Sequence, residues 1–405
     1  MNILYTTEYS NPNICGVWNR TLNEARYMKK KGHKVFVLST NIKKEGGSLE
    51  DYELFEDIPI FRFRPWLRIS DNASFWYGQK FKKKALELKP DIIICNTYRH
   101  PETNFCLKIA KQLNIPCILI THASFLEPGI RGVALSASAW LYDRLFCRLN
   151  EFDRVFAISN WELPYLQKLG AKEVTYVPNA LPDELFNNKV LPFKNNKKIL
   201  FLGRIVPIKD IPTLLKAIEK LNVASLIYKG SKKGSKKDKK DHNYSLTLAG
   251  PFDKEYRAYL VKGMEELGIQ DQTCFVGSID SLKDKIEIID QHDIFILPSK
   301  REGMPTALLE AMARGKICIA SKTQGAKEII INGKNGFLFD IGNEQQLSQL
   351  IRGVDIFKKM NIGLIEDIST NARKTAEQFA ASHIYPETER IYLSLISNNT
   401  KPKGI

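Results

Sequence analysis

Residues 301–315 read Arg301-Glu302-Gly303-Met304-Pro305-Thr306-Ala307-Leu308-Leu309-Glu310-Ala311-Met312-Ala313-Arg314-Gly315. This stretch predicts a helix between Pro305 and Gly315, because proline fits the first helical position and glycine fits the residue past the end. Glu302 then lies in the loop before the helix, and Glu310 lies on the helix itself. Two carboxylates around a helix start, where backbone amides favour a phosphate, suit the binding of a sugar nucleotide.

The bulk composition describes a globular chain of two domains. The chain has 405 residues, of which 43% are hydrophobic and 26% charged, which is too long for one ordinary domain. No apolar run approaches the ~20 residues of a membrane span, and the N-terminal residues indicate a first strand rather than a signal sequence. Seven scattered cysteines without a CxxC pair favour reduced thiols in the cytoplasm. The histidines do not cluster at metal-ligand spacing, so we expect no metal site.

Short β-branched runs alternate with helical patterns in both halves of the chain, which predicts an α/β protein with two doubly wound parallel sheets. The predicted strands of the first half are 2–7, 33–40, 91–97, 116–122, 154–159 and 174–177, with helices at 17–31, 78–89, 101–113 and near 134–149. The second series has strands at 198–203, 245–249, 274–277, 293–297, 317–321 and 336–340, followed by helices near 343–353 and 369–396. Ligands of such sheets bind beyond the carboxyl ends of the strands.

The net charge of +15 is compatible with a nucleic acid, an anionic membrane or an anionic substrate. Residues 229–241 hold seven lysines against two aspartates, and this low-complexity composition is typical of a solvated insertion. Because aromatic residues are not interleaved there, we expect no nucleic-acid partner.

Residues 60–84, the basic aromatic segment, carry seven basic residues and seven aromatic residues against one acid. Basic and amphipathic aromatic groups together favour an anionic membrane interface, although some of these aromatics must belong to the core.

Two cations follow the strand predicted at 198–203. Arg204 comes directly after Gly203, and Lys209 follows five residues later. An arginine forks onto phosphate oxygens and a lysine adds a compact charge, which together match a leaving diphosphate, whereas the alternative is surface charge beside a helix cap. No Gly-x-Gly-x-x-Gly motif is present, which argues against a dinucleotide-dependent dehydrogenase.

These motifs resemble the retaining glycosyltransferases of family 4, whose C-terminal domain carries two glutamates separated by seven residues in a Glu-Gly-x-Pro context, followed by Glu-Ala-Met-Ala. The resemblance covers nearly the whole chain and is strongest over 198–340. It implies a GT-B fold, in which two Rossmann-like domains face an interdomain cleft. The implied boundaries are 1–186 for an acceptor-binding domain, 187–375 for a nucleotide-sugar-binding domain, 376–396 for a C-terminal helix that crosses back to the first domain, and 397–405 for a flexible tail.

The resemblance also implies roles for individual residues. Glu310 would accept the ribose hydroxyls and Glu302 a sugar hydroxyl, while Arg204 and Lys209 would stabilise the departing diphosphate. His122 would contact the donor sugar at the reaction centre. The remaining residues implied in donor binding are Gly16, Gly250, Ser278, Gly303, Met304, Pro305 and Thr306.

The chain departs from the family pattern in three places. Cys15-Gly16 stands where members usually carry two glycines, and Pro251-Phe252 replaces a charged tripeptide after Gly250. Ala180 takes the place of a glycine at the junction of the two domains, which we interpret as a hinge.

The expected function is therefore retaining transfer from a nucleotide sugar, with a UDP-sugar favoured, to a glycan or lipid-linked acceptor in cell-surface polysaccharide or glycolipid biosynthesis. We expect no cofactor and no metal requirement, and a peripheral location on the cytoplasmic face of the membrane. Tyr98, Arg99 and His100 are acceptor-side candidates. A sugar-nucleotide epimerase of similar fold and a basic nucleic-acid-binding protein are the alternatives, and Glu302 is the candidate if the reaction uses a protein nucleophile.

Overall fold

The structure, a computed structural model, describes residues 1–13, 15–43, 46–70, 73–76, 78–96, 98–122, 141, 143, 147–187, 190, 192–194, 196–229, 244–279, 281–360 and 362–400. The chain divides into two compact units. Unit 1 comprises Met1–Ala180 together with the chain from Ala381 onward, and unit 2 comprises Leu181–Ala380. The predicted boundaries lie a few residues away, at 186/187 and 375/376.

Unit 1 is built on an eight-stranded sheet with the order β10-β9-β8-β7-β1-β2-β4-β3. All neighbouring strands are parallel except β3, which is antiparallel to β4. The strands of this sheet are β1 (Asn2–Thr6), β2 (Lys34–Thr40), β3 (Tyr52–Phe55), β4 (Ile58–Phe63), β7 (Ile92–Cys95), β8 (Cys117–Ile120), β9 (Arg154–Ala157) and β10 (Val174–Tyr176). A separate hairpin is formed by β5 (Leu67–Ser70) and β6 (Ala73–Phe75). The helices of unit 1 are α1 (Gly16–Lys30), α2 (Gln79–Glu87), α3 (Pro101–Leu113), α4 (Leu163–Lys168) and α12 (Ala381–Thr400).

Unit 2 is built on a six-stranded parallel sheet with the order β13-β12-β11-β14-β15-β16. Its strands are β11 (Lys198–Leu202), β12 (Ser245–Ala249), β13 (Thr273–Gly277), β14 (Ile294–Leu297), β15 (Ile317–Ser321) and β16 (Phe337–Phe339). Its helices are α5 (Ile211–Lys229), α6 (Lys254–Glu266), α7 (Leu282–Asp290), α8 (Thr306–Ala313), α9 (Gln324–Ile329), α10 (Glu344–Met360) and α11 (Ile362–Glu377).

Two interior strands of each sheet are buried along their whole length. All residues of β7, β8, β14 and β15 are buried, because helices cover both faces of a parallel doubly wound sheet. Short apolar runs of this kind are what the sequence shows, and most strand bounds therefore fall within one or two residues of the predicted ones. All seven cysteines are free thiols. Within the described residues, no helix has the length and apolarity needed to span a bilayer.

Three helices of unit 2 begin with a side-chain cap at the carboxyl edge of the sheet. The side chains of Asp253, Ser281 and Thr323 accept hydrogen bonds from backbone amides in the first turns of α6, α7 and α9. Such caps satisfy amides that have no partner within the helix. The loops after β12, β13 and β15 are thus held at defined positions, which fixes the edge of the sheet where a ligand is expected.

The C-terminal region contains two helices where the sequence predicts one over 369–396. The chain leaves the helix after α11, and the carbonyl of Phe379 accepts a hydrogen bond of 2.7 Å from the amide of Leu181. This bond uses a carbonyl that a continuous helix would need for itself. Helix α12 then packs on α1, where Tyr392 donates to Glu24 and the His33 Nε2 to Glu389 Oε1 distance is 2.6 Å. It continues through 397–400, which the sequence analysis assigned to the tail.

Several predicted features fall outside the described residues. These are most of the helix predicted near 134–149, the lysine-rich segment over 230–241 and the tail over 401–405. Within 134–149, a short 3-10 turn begins at Leu149.

Candidate functional site

The loops after β11 and β14 meet at the carboxyl edge of the unit 2 sheet. The two strands are neighbours, and the amide of Lys300 donates to the carbonyl of Ile208 at 2.9 Å. The loop that carries Arg204 and Lys209 is therefore joined to the loop that carries Glu302. Both lie where open α/β sheets bind their ligands.

Glu302 is fixed by two side chains. Its Oε1 atom accepts hydrogen bonds from Lys209 Nζ at 2.5 Å and from Ser299 Oγ at 2.6 Å. The Lys209 and Glu302 side chains are 18% and 11% exposed, so the ion pair is shielded from solvent without being sealed from it. The family resemblance implies that Lys209 lies at the diphosphate and Glu302 at the sugar, and the structure brings the two side chains into contact.

Two glycines allow backbone segments of this edge to approach closely. A Cβ at Gly325 would lie 2.3 Å from the carbonyl oxygen of Gly303, and the amide of Gly325 donates to the Glu302 carbonyl at 3.1 Å. A Cβ at Gly250 would lie 2.1 Å from the carbonyl oxygen of Gly203. These positions exclude any larger residue unless the backbone moves. Gly250 is among the residues predicted from the sequence, whereas Gly325 and Ser299 are not.

Helix α8 carries the second carboxylate of the motif. Pro305 lies immediately before the first helical residue rather than at it, and Gly315 follows the end of the helix with φ +65°. Leu308 faces the core, as its spacing predicts. Glu310 is nearly buried, and its Oε1 accepts a hydrogen bond from Lys285 Nζ at 2.9 Å. Lys285 lies on α7 and was not singled out from the sequence.

The remaining donor-side residues of unit 2 lie at the same edge. Arg204 is exposed, and no hydrogen bond or ion pair joins its guanidinium to the part of the chain that the structure describes. Ser278 is also exposed, directly after β13, while Asp280 lies outside the described residues. Gly303, Met304 and Pro305 connect Glu302 to α8, of which Thr306 is the first residue.

His122 of unit 1 follows β8 with φ +53°, a backbone conformation that is uncommon for residues other than glycine. Its Nε2 atom lies 3.3 Å from Asn96 Oδ1. Burial, reinforced by the positive charge of Arg20, lowers the pKa of His122 to about 3. The imidazole is therefore neutral at physiological pH.

Gly16 is the first residue of α1, preceded by Cys15 as the N-cap. The Cys15 sulfur accepts a hydrogen bond of 3.4 Å from the amide of Trp18. The cysteine that departs from the family pattern thus serves as the cap of this helix.

Two of the three acceptor-side candidates are held inside unit 1. Tyr98 is buried, and Arg99 donates two hydrogen bonds of 2.6 Å to the carboxylate of Asp143. Tyr165 donates to the same carboxylate at 3.2 Å. Burial lowers the pKa of Arg99, but its interactions with Asp143 outweigh that effect and raise the pKa above its ordinary range. The Arg99 side chain is thus 21% exposed, whereas its partner Asp143 is fully buried.

His100, the third candidate, lies between two carboxylates. Its Nδ1 atom is 3.5 Å from Glu8 Oε2 and 3.6 Å from Glu102 Oε1. Among the residues that the structure describes, this is the one group of histidine, cysteine and acidic side chains close enough to hold a metal ion. Burial lowers the pKa of His100, but the carboxylates of Glu102 and Glu8 raise it by more. The two carboxylates therefore favour the protonated form of the imidazole.

The basic aromatic segment divides into a buried and an exposed part. Arg62, expected at the membrane-facing surface, is instead 4% exposed and forms an ion pair with Glu53. Trp76 and Phe81 belong to the core. By contrast, Trp66 is 66% exposed. That some of the aromatics belong to the core agrees with the expectation, whereas the burial of Arg62 does not, because alternation along β4 turns its side chain inward.

Comparison with known proteins identifies the family of each half of the chain. The model of glycosyl transferases group 1 matches residues 183–375, and the model of Glycosyltransferase Family 4 matches residues 14–185. The chain is similar to the UDP-Gal:alpha-D-GlcNAc-diphosphoundecaprenol alpha-1,3-galactosyltransferase of Escherichia coli, with 25% identity over 88% of this chain and 89% of the relative. EpsD of Bacillus subtilis (strain 168) is 31% identical, and that match spans 35% of either chain.

A solved structure shows the same fold. Anabaena Alr3699/HepE, crystallised in complex with UDP and glucose, superposes with a TM-score of 0.71 and 19% identity, covering 97% of this chain and all of that chain. The GT-B fold of two Rossmann-like domains, predicted from the sequence, is confirmed.

Proposed function

Because this chain belongs to the family 4 glycosyltransferases, we propose that it transfers a sugar from a nucleoside-diphosphate sugar to a glycan or lipid-linked acceptor, with retention of anomeric configuration. The observation that carries this proposal is the arrangement at the carboxyl edge of unit 2. There, Glu302 and Glu310, the two carboxylates of the motif, are each paired with a lysine at hydrogen-bond distance.

The donor would bind along this edge. Arg204 is exposed and Lys209 is partly exposed, so both can meet a diphosphate, and their charge would stabilise the negative charge that develops on the leaving group. Glu302 would accept a hydroxyl of the sugar, Glu310 would accept the ribose hydroxyls, and the turn over 303–306 would approach the phosphate and the sugar. In the E. coli relative the donor is UDP-Gal, which supports a UDP-sugar here.

The transfer step would proceed on one face of the sugar. The bond between the anomeric carbon and the diphosphate oxygen breaks, and the acceptor oxygen bonds to the same carbon from the same side. The acceptor proton passes to an oxygen of the departing diphosphate, so no protein base is needed. Glu302 is held by Lys209 and Ser299, a pairing that suits a sugar-binding carboxylate better than a nucleophile. His122, neutral because of its low pKa, would serve as a hydrogen-bonding contact of the donor sugar.

No metal is required in this proposal, since two protein cations take the part that a divalent ion would play at the diphosphate. Assay after exhaustive chelation tests the point. Full activity is expected, and a complete loss that a divalent ion restores would contradict it.

The acceptor would bind to unit 1 and is proposed to be lipid-linked, as in the E. coli relative, whose name specifies a diphosphoundecaprenol acceptor. Exposed Arg64, Trp66 and Lys83 would then bring the enzyme to an anionic membrane from its cytoplasmic side, in the biosynthesis of a cell-surface polysaccharide or glycolipid. Tyr98, Arg99 and His100 would shape the surroundings of the acceptor site.

A thermal-shift panel of UDP-, GDP- and ADP-sugars tests the donor class. A ligand at about 100 times its Kd stabilises the folded protein by ~2.7 kcal/mol, and we expect the UDP-sugars to give the largest shift. Turnover with and without a lipid-linked acceptor then separates a transferase from an epimerase, which would convert the donor alone. A steep salt-dependent affinity for duplex DNA, without a nucleotide-sugar shift, would favour the nucleic-acid alternative.

A further inference from the structure

The carboxyl edge of the unit 2 sheet, where the donor is proposed to bind, is called the donor edge below. Lys285 is a residue of this edge that the sequence did not predict. Its Nζ atom donates to Glu310 Oε1 at 2.9 Å, and the two side chains are 23% and 10% exposed. Most exposed lysines contribute little to an ion pair because water screens the charge. This pair is largely withdrawn from water and lies at an edge where a ligand is expected, so its charge acts on a specific carboxylate.

The position of Lys285 is fixed by its own helix. Ser281 caps α7 by accepting a hydrogen bond from the amide of Asp284, and the amide of Lys285 donates to the carbonyl of Ser281 at 3.1 Å. Lys285 therefore stands in the first turn of the helix that follows β13, and its side chain reaches Glu310 on α8. Two helices that follow different strands are joined through one charged contact.

The contact restricts the orientation of the Glu310 carboxylate. With one lone pair of Oε1 committed to an ammonium donor, rotation of the carboxylate is restricted, and the remaining acceptor sites favour fewer directions. A carboxylate that receives two adjacent hydroxyl groups needs this orientation, because each hydroxyl must meet an oxygen lone pair at about 2.7 Å.

Resting on the proposed function, we propose that Lys285 is a positioning residue for the nucleotide, which sets the Glu310 carboxylate to receive the ribose hydroxyls. Lys285 thereby contributes to the preference for a ribonucleotide donor over a deoxyribonucleotide. The parallel contact at Glu302 is made by Lys209, which is itself placed at the diphosphate, whereas Lys285 acts through the carboxylate.

The test compares a nucleotide that has both ribose hydroxyls with one that lacks them. Titration calorimetry measures the affinity of the wild-type protein and of Lys285→Met, Lys285→Arg and Glu310→Gln for UDP and for 2′,3′-dideoxy-UDP, with the ADP and GDP pairs in parallel. Lys285→Met should weaken UDP binding about tenfold, equivalent to ~1.4 kcal/mol, and leave dideoxy-UDP binding nearly unchanged. Lys285→Arg should restore most of the UDP affinity. The double variant Lys285→Met/Glu310→Gln should bind UDP no more weakly than Glu310→Gln alone.

The results distinguish a failure of the role proposed for Lys285 from a failure of the proposed function. If Lys285→Met leaves UDP affinity unchanged while Glu310→Gln lowers it, or lowers the affinity for both nucleotides equally, Lys285 does not act through the ribose. If the wild-type protein binds none of the nucleoside diphosphates, the proposed function is wrong and the inference falls with it. Because the two nucleotides are compared on the same variant, a loss of folded protein cannot produce the selective effect.

Discussion

The donor edge of unit 2 and the acceptor-side candidates of unit 1 use the same kinds of side chains in opposite ways. At the donor edge, Lys209 and Lys285 pair with carboxylates that retain some exposure, so a ligand can exchange for one partner. In unit 1, Arg99 pairs with Asp143, whose side chain is fully buried, and His100 lies between two carboxylates. The exposure of the acidic partner, from 11% for Glu302 to 0% for Asp143, thus separates a pair that a ligand can reach from one that it cannot.

The largest expected effect is a loss of turnover on substitution of Lys209 at the donor edge. Lys209→Ala should reduce turnover about 10²- to 10³-fold, or ~3–4 kcal/mol, because charge that develops in a shielded site loses a fixed cation. Steady-state kinetics with a nucleotide-sugar donor measure the change. Lys262→Ala, which removes an exposed lysine paired with Glu266 on α6 of the same unit, is the matched control and should retain activity. Equal turnover in the two variants would remove Lys209 from the diphosphate.

Removal of the ion pair between Arg99 and Asp143 in unit 1 should instead lower the free energy of unfolding. Arg99→Met leaves the buried Asp143 carboxylate without its cation, and we expect a loss of ~3 kcal/mol in the free energy of unfolding, with nucleotide affinity unchanged. All five tryptophans lie within residues 1–180, so urea unfolding followed by tryptophan fluorescence reports on unit 1.

The control for that measurement is Lys111→Met, which breaks an ion pair with Glu151 in which the lysine is exposed and should cost less than about 1 kcal/mol. A fall in nucleotide affinity of Arg99→Met without a loss of stability would show that Arg99 is a site residue after all.

The buried His122 of unit 1 should make the stability of the protein depend on pH. Its pKa is about 3 in the folded protein and ~6.5 when unfolded, so the unfolded chain binds the extra proton first as the pH falls. The stabilising contribution of His122 is complete at a pH above its unfolded-state pKa. It is lost progressively as the pH falls toward the folded-state pKa, and the loss reaches ~2 kcal/mol near pH 5. His122→Asn, which tolerates the positive φ, should lack this loss. Urea unfolding at neutral and acidic pH checks it, and parallel stability curves for the two proteins would contradict it.

The smallest effect per residue is expected at the exposed part of the basic aromatic segment. Arg64, Lys80 and Lys83 are exposed, and each should contribute ~1 kcal/mol to binding at an anionic surface. Their replacement by serine should weaken sedimentation with phosphatidylglycerol-containing vesicles.

Lys322, Lys327 and Lys334 of unit 2 are exposed as well, and their replacement by serine gives the same change in net charge. Equal losses in the two triple variants would mean that net charge, rather than this surface, attracts the membrane.

The fold and the motif carboxylates could be predicted because short, contiguous stretches of sequence determine them. The alternation of apolar runs with helical patterns indicates the parallel sheets, and proline and glycine bracket the helix that holds Glu310. The partners of the carboxylates were not predictable in the same way. Lys285 and Ser299 contact Glu310 and Glu302 from other elements or through a loop whose path the sequence does not specify, and Gly325 reveals its role only when two backbones meet.

Tertiary contacts also overrode two local patterns. Arg62 looks like part of a basic surface but is buried against Glu53, since a neighbouring strand supplies its partner. The helical pattern over 369–396 is interrupted where Leu181 binds the Phe379 carbonyl. In both cases the deciding partner lies on another element, and periodicity alone carries no information about it.

Glu302 and Glu310 are proposed to bind different parts of the donor, and one paired measurement distinguishes their roles. Nucleoside diphosphate affinity and turnover are determined separately for Glu302→Gln and Glu310→Gln. We expect that Glu302→Gln lowers turnover more than nucleotide affinity, because this carboxylate is proposed to face the sugar. We expect that Glu310→Gln lowers nucleotide affinity at least as much as turnover, because it is proposed to face the ribose. The reverse pattern, or two identical profiles, would contradict the proposed placement of the donor along the carboxyl edge of unit 2.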